Sequence, residues 1–256
     1  MKGRTMRISS ALAFAAMLAS GAASANTSWT GWYIGGHAGS GSGESEAELT
    51  LSGRWTTESQ ALREFVASQW STELDADGSA FGVHGGYRHQ LEDGLVIGVE
   101  LDYSELSIDD KRLTAPTPWP DAPSLTYSFG NRVEANSMFA IRPHIGFAFE
   151  QQLVFLSVGW AAVDVDASAE VLSNGGYSKF GETSETVSGI QWGVGYQFAF
   201  GNQWSLRAEY LMTDLDSFDY NTAYRPGSTF VDPPYLESVS QDLNLDLFRV
   251  GLDFSF

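Results

Sequence analysis

The sequence predicts an all-β protein: an eight-stranded antiparallel up-and-down transmembrane β-barrel with short periplasmic turns and four long outer loops. Three observations carry this reading. Eight segments alternate apolar and polar side chains with period two. The connections between them alternate short and long. Mean hydropathy is only −0.15, and no apolar run is long enough to span a bilayer as a helix. That excludes a helical bundle but leaves a barrel open, because the two faces of each strand average out.

The chain starts with a targeting pattern rather than with the fold. Lys2, Arg4 and Arg7 precede an apolar stretch from Ile8 to Ala19, and Ala23-Ser24-Ala25 is a small-x-small cleavage site. Residues 1–25 are therefore expected to be a secretory signal, with the barrel occupying residues 26–256. Removing those three basic residues leaves a chain three units more negative than the formal −18. So acidic a chain is not built to hold nucleic acid, which needs clustered Lys and Arg. There is no cysteine, hence no disulfide scaffold and no thiolate chemistry.

The strands follow in order. Trp32 to Ser40 sets Trp32, Ile34 and Ala38 against Tyr33, Gly35, His37 and Gly39. Ala80 to His89 sets Phe81, Val83 and Tyr87 against Gly82, His84, Gly86 and Arg88. Leu95 to Ser104 is the cleanest, with Leu95, Ile97, Val99, Leu101 and Tyr103 opposite Val96, Gly98, Glu100 and Asp102. Met138 to Phe149 places Arg142 and His144 on its polar face, and Leu153 to Val163 alternates weakly. Gly189 to Ala199 opposes Trp192, Val194 and Tyr196 to Gln191, Gly193, Gly195 and Gln197. Trp204 to Thr213 places Arg207 and Glu209 on one face, and Leu247 to Phe256 places Arg249 and Asp253 there.

Short connections lie near Gln90 to Gly94, Glu150 to Gln152 and Phe200 to Gln203; residues 43–79, 105–136, 164–187 and 214–243 form the long loops. Within the first, Glu58 to Trp70 has the spacing of a short amphipathic helix. The glycine-rich face suits a narrow lumen, where small residues must offset large ones. Trp32, Tyr87, Tyr103, Trp160, Trp192, Tyr210 and Phe256 on the other face suit an interfacial girdle. The apolar face is therefore assigned to lipid.

The inward face carries Arg88, Glu100, Asp102, Arg142, Arg207, Glu209, Arg249 and Asp253. Buried charges persist only when paired, so these eight are expected to form a structural polar network. A narrow polar pore is the alternative use of the same residues, although eight strands leave little room for one. His37, His84 and His144 also face inward, and imidazoles sharing one lumen are candidate ligands for a metal or haem iron. No metal or cofactor is assigned. A serine hydrolase centre at the outer rim would need a histidine there; none of the four long loops contains one, so no catalysis is expected. Those loops hold 24 of the 32 acids, a surface that attracts divalent cations or basic partners. None shows the calcium-loop spacing.

Four segments resemble a known family: Gly31 to Gly39 (GWYIGGHAG), Leu95 to Ser104 (LVIGVELDYS), Trp204 to Leu215 (WSLRAEYLMTDL) and Phe248 to Phe256 (FRVGLDFSF). They are similar to the small outer-membrane β-barrel proteins of proteobacteria. Within these, the resemblance is to the alphaproteobacterial surface antigens, some described as haemin-binding; outer membrane protein A's transmembrane domain is more distant. No periplasmic domain of the kind that protein adds is expected after Phe256. The resemblance implies a Gram-negative outer-membrane location among lipids and lipopolysaccharide, and a structural or surface-antigen role. It implies haem as the candidate ligand should the barrel be a receptor. It also implies insertion by the barrel assembly machinery, which reads a C-terminal aromatic strand such as that ending in Phe254 and Phe256.

Overall fold

A computed structural model describes residues 28–201 and 203–256. The expected signal segment, residues 1–25, lies outside the described residues. The long strands are β1 (Gly31–Gly53), β2 (Thr72–Gln90) and β3 (Leu95–Leu113), then, after the short β4 (Thr117–Trp119), β5 (Ala122–Phe149), β6 (Gln152–Ser173) and β7 (Ser178–Phe200). The chain continues through β8 (Trp204–Leu215), the short pieces β9 (Phe218–Asn221) and β10 (Ala223–Tyr224), β11 (Tyr235–Gln241) and β12 (Asn244–Ser255).

Eight strands close into a ring in the order β1-β2-β3-β5-β6-β7-β8-β12, and β12 returns to β1 with Tyr33 opposite Ser255 and Ile34 opposite Phe254. Every pairing is antiparallel. The Phe256 N–H extends the seam, donating to the Trp32 carbonyl at 3.0 Å. Closure satisfies the backbone groups that an open edge would expose to lipid.

The expected strands are all present, but they run further outward than their alternation suggested. Much of each predicted long loop is strand: β1 continues to Gly53, β6 to Ser173, and β5 starts at Ala122. Above Glu44, β1 pairs with β11 instead of β12, β11 with β9, and β10 with β7. Strand pairing thus continues well beyond the lipid-facing zone.

The polarity of the two faces exchanges partway along the strands. On β6, Val154, Leu156, Val158 and Trp160 face out and are exposed, with Leu153, Phe155 and Ser157 buried. Past Ala161 the same alternation buries Val163, Val165, Ala167, Ala169 and Val171 and turns Asp164, Asp166, Ser168 and Glu170 outward. On β3, inward Glu100, Asp102 and Ser104 give way to inward Leu106 and Ile108. The lower zone faces lipid and has a polar interior. The upper zone faces water and has an apolar one. On β5 a bulge between Ala135 and Ser137 also shifts the parity, so Met138, Ala140 and Arg142 point inward below it, and Val133 and Ala135 above.

The predicted helix forms as α1 (Gln60–Trp70) after a 3-10 turn at Arg54–Thr57. The Ser59 hydroxyl caps it, accepting from the Leu62 N–H at 3.2 Å. Leu62, Val66 and Trp70 recur on one face and are buried in the upper core with Phe129 and Tyr127. Aromatics line the lipid zone near its ends, including the edge-to-face pairs Trp32–Tyr87 and Trp204–Phe254 near one rim and Phe139–Trp160 near the other.

Two substitutions test the two zones. Leu156→Arg, on the lipid face, should cost about 2–4 kcal/mol near the bilayer midplane. Leu106→Ala, in the upper interior, should cost about 2–5 kcal/mol through a cavity. Urea unfolding of vesicle-inserted protein followed by tryptophan fluorescence reads both; midpoints equal to the parent chain's would contradict the assignment.

Candidate functional site

Cross-strand register assembles the lumen. It sets Glu100 opposite Arg142 and Glu209 opposite Arg249 as direct neighbours, and His84 opposite Asp102. All eight charged residues expected in the interior are there and buried. Four guanidiniums balance four carboxylates. Glu100 is the hub: it accepts from Arg142 Nη2 at 2.6 Å and from the Tyr33 hydroxyl at 2.7 Å, and Arg207 Nη2 lies 2.6 Å away. Glu209 accepts from Arg249 Nε and Nη2 at 3.0 and 2.8 Å. Arg249 Nη1 lies 2.6 Å from Asp102. Arg88 donates to Gln197 Oε1 and Ser255 Oγ and lies over the rings of Trp29 and Tyr33. Gln197 in turn donates to Asp253 at 2.9 Å.

His37 and His84 join this network, stacked with centroids 5.4 Å apart. His84 Nε2 lies 2.8 Å from Asp253 Oδ1, the two Nδ1 atoms are 3.2 Å apart, and His37 Nε2 lies 3.1 Å from Arg249 Nη1. One neutral assignment satisfies all three contacts. In that assignment Arg249 donates to His37 Nε2, His37 Nδ1–H to His84 Nδ1 and His84 Nε2–H to Asp253, while the Ser104 hydroxyl, 3.0 Å from His37 Nε2, donates to Asp102. Gly35 makes the space: a Cβ there would lie 2.5 Å from both His84 Nε2 and Asp253 Oδ1.

The three histidines do not converge. His144 packs on Phe155 at 5.7 Å, apart from the other two. His37, His84 and Asp102 do offer ligand atoms within 4.8 Å of one another. Arg249, however, already contacts both His37 Nε2 and Asp102 Oδ2. The guanidinium would therefore compete with a cation for Asp102 Oδ2.

Apolar layers bound the network at both ends. Trp29, Val96, Ala148, Leu153, Phe155 and Ala199 cluster on the short-turn side. The upper core lies on the other. Farther out is a buried polar knot that the sequence reading missed. Glu237, counted there as a surface loop acid, is buried. It accepts from Lys179, from the Tyr177 hydroxyl, from Trp55 Nε1 at 2.7 Å and from Thr222 Oγ1 at 2.6 Å. Lys179 also donates to the Tyr235 carbonyl at 2.7 Å and lies 4.6 Å from the centroid of the Tyr224 ring. The signal was available in the alternation Tyr235, Glu237, Val239, Gln241, which puts a single acid on the inward face of β11.

Glu209→Gln should leave four buried guanidiniums facing three carboxylates, with Arg249 and Arg142 each losing a charged partner, and breaking a buried pair this way costs about 3–5 kcal/mol. A urea midpoint unchanged from the parent would argue against the network as described. The outer knot has its own pH signature. Burial, and then the charge of Glu237, hold the Tyr177 hydroxyl well above its ordinary value of 10.0. A raised folded value contributes stability that is complete below the unfolded value and lost as pH rises toward the folded one. The outer end should therefore loosen above about pH 10, read as protease nicking within residues 226–234, and Tyr177→Phe should blunt the pH dependence.

The comparisons with known proteins agree with this architecture. The 31 kDa outer-membrane immunogenic protein of Brucella melitensis biotype 1 is 28% identical over 229 residues, covering 90% of this chain and 84% of that protein. Among solved structures, the outer membrane protease OmpT from Escherichia coli has a TM-score of 0.50 at 8% identity, covering 88% of this chain and 97% of that one. Neisserial surface protein A has a TM-score of 0.38 at 14% identity, covering 89% and 98%. At 8% identity the likeness to OmpT speaks to fold alone. The family described as outer membrane protein beta-barrel domain matches residues 10–256, and with its closed lipid-facing ring the chain belongs to that family and to the Gram-negative outer membrane.

Proposed function

We propose that this chain is a non-enzymatic barrel with a structural and surface-antigen role. One observation carries the reading: buried layers follow one another along the interior. An apolar layer, a charge-balanced network, an apolar core and the Glu237–Lys179 knot follow one another from the short-turn rim outward. Such a stack favours a rigid body that displays its outer surface over a conduit. The immunogenic naming of the Brucella relative supports display. The positions of His37, His84 and His144 beneath the upper core weigh against haem capture, since a planar macrocycle would have to displace that core.

The partners proposed are those of an integral outer-membrane protein: surrounding lipid and lipopolysaccharide, and the assembly machinery engaging the strand that ends in Phe254 and Phe256. Loosely held divalent cations are proposed at the outer wall. There the register sets Glu44 opposite Asp75, Glu46 opposite Glu73 and Asp77 opposite Asp109. Like charges directly opposed destabilise a sheet, and a cation relieves that cost.

Planar-bilayer recording should give no discrete conductance from the refolded chain, and resolved single-channel steps would overturn the closed reading. Haemin titration should give no saturable Soret shift. A saturable shift lost in His37→Ala would instead establish the receptor reading.

A further inference from the structure

We propose that the outer wall of the upper zone carries a binding site for a phosphate ester on a saccharide, formed by Lys111, Arg132 and Arg225. Seven basic residues lie within residues 43–79, 105–136, 164–187 and 214–243, against 24 acids. Three of the seven line one recess of about 290 Å³, together with Gly130, Ser168, Glu170 and Phe180. The register builds it. Lys111 on β3 is opposite Arg132 on β5, Arg132 is opposite Ser168 on β6, and Glu170 is opposite Phe180 on β7. Arg225, just past β10, lies over the Phe180 ring at 5.1 Å. Gly130 keeps the recess tight, since a Cβ there would lie 2.7 Å from Glu170 Cγ.

The arrangement is costly without a ligand. Lys111 and Arg132 are like charges at directly opposed outward positions, which destabilises a sheet. Lys111 has no ion-pair partner among the described residues. Arg132 pairs with Glu134, and Arg225 with Glu170 at 2.7 Å. Both are partly exposed pairs of the kind worth little, so either guanidinium can turn to a stronger acceptor. Among the residues lining the recess, three cations face a single carboxylate. The rest of the wall is acidic and repels diffuse anions. Only a group that engages several cations at once overcomes that field. A phosphate monoester has the charge and the oxygens to do so, with arginine forks as matched donors.

The saccharide part follows from the adjoining space. The recess shares Arg132, Ser168 and Phe180 with a second one of about 530 Å³, lined also by Asp166, Glu182, Thr183 and Ser184. Hydroxyls and carboxylates beside a cationic pocket match the hydroxyls of a sugar attached to the phosphate. The ligand has two possible sources, phosphorylated lipopolysaccharide in the same leaflet or a soluble sugar phosphate. The site is independent of whether the lumen conducts or holds haem, so its test is separate from those above.

The test uses the full mature chain, ¹⁵N-labelled and refolded in detergent free of lipopolysaccharide. Glucose 6-phosphate is expected to give saturable amide shifts at Lys111, Arg132 and Ser168, with glucose giving none. The variant carrying Lys111→Gln and Arg225→Gln should bind at least tenfold more weakly, and Arg63→Gln on α1 should bind as the parent does. Heat-modifiable gel mobility confirms that each variant is folded. Competition by native but not dephosphorylated lipopolysaccharide, or shifts caused by native lipopolysaccharide alone, assigns the site to the leaflet. Absence of such competition assigns it to a soluble ligand. The proposal fails if neither glucose 6-phosphate nor native lipopolysaccharide gives saturable shifts, or if the double variant binds as tightly as the parent.

Discussion

In the hydrocarbon core no water is available to satisfy backbone N–H and C=O groups. The ring must therefore close, and here β12 pairs with β1 from Tyr33 opposite Ser255 to Glu44 opposite Asn244. Closure with eight strands makes the lumen narrow. A narrow lumen leaves each inward side chain in contact with those across it, so its charges must be matched within a few ångströms. Glu100 among Arg142, Arg207 and Tyr33 is the outcome. The glycines follow from the same constraint. Gly35 exists as glycine because His84 and Asp253 occupy the volume that its side chain would fill.

Above the lipid zone the solvent changes and the strands do not. Their pairing, mostly also their parity, continues, but apolar side chains now gain by facing inward. One continuous sheet is thus a membrane barrel at one end and resembles a water-soluble barrel at the other. The upper core buries Trp55, Trp70, Phe129 and a ladder of small β6 residues from Val163 to Val171. It lies over the ionic network on its outer side. The buried Glu237 with its four donors adds a second polar fastening near the outer mouth.

Much of this was legible in the sequence. Period-two alternation located the lipid-zone strands, and their opposite faces named the eight lumen charges. The outer ends of the strands were not legible as strand, because the polarity exchange removes the pattern used to find them. Asp164 to Glu170 reads as a broken lipid-facing strand when only one polarity is sought, yet the alternation is intact with its sense reversed. The bulge at residues 135–137 adds a true phase change on β5. Glu237 was misread for a related reason: an isolated acid in a long connection looks solvated until the strand beneath it is known.

Local chemistry determined a great deal by itself: which residues form strands across the lipid, which face meets lipid, and which charges must lie inside. Each depends only on the order of side chains along a strand with period two. Partner choice came from the tertiary structure. Glu100 meets Arg142, Arg207 and Tyr33, and His37 meets His84 while His144 stands apart, because register and curvature set the heights of residues on different strands. The same register brings Lys111, Arg132 and Arg225 together on an acidic wall although nearly a hundred residues separate the last two. Height around a closed ring is a property of the whole sheet, and no single segment encodes it.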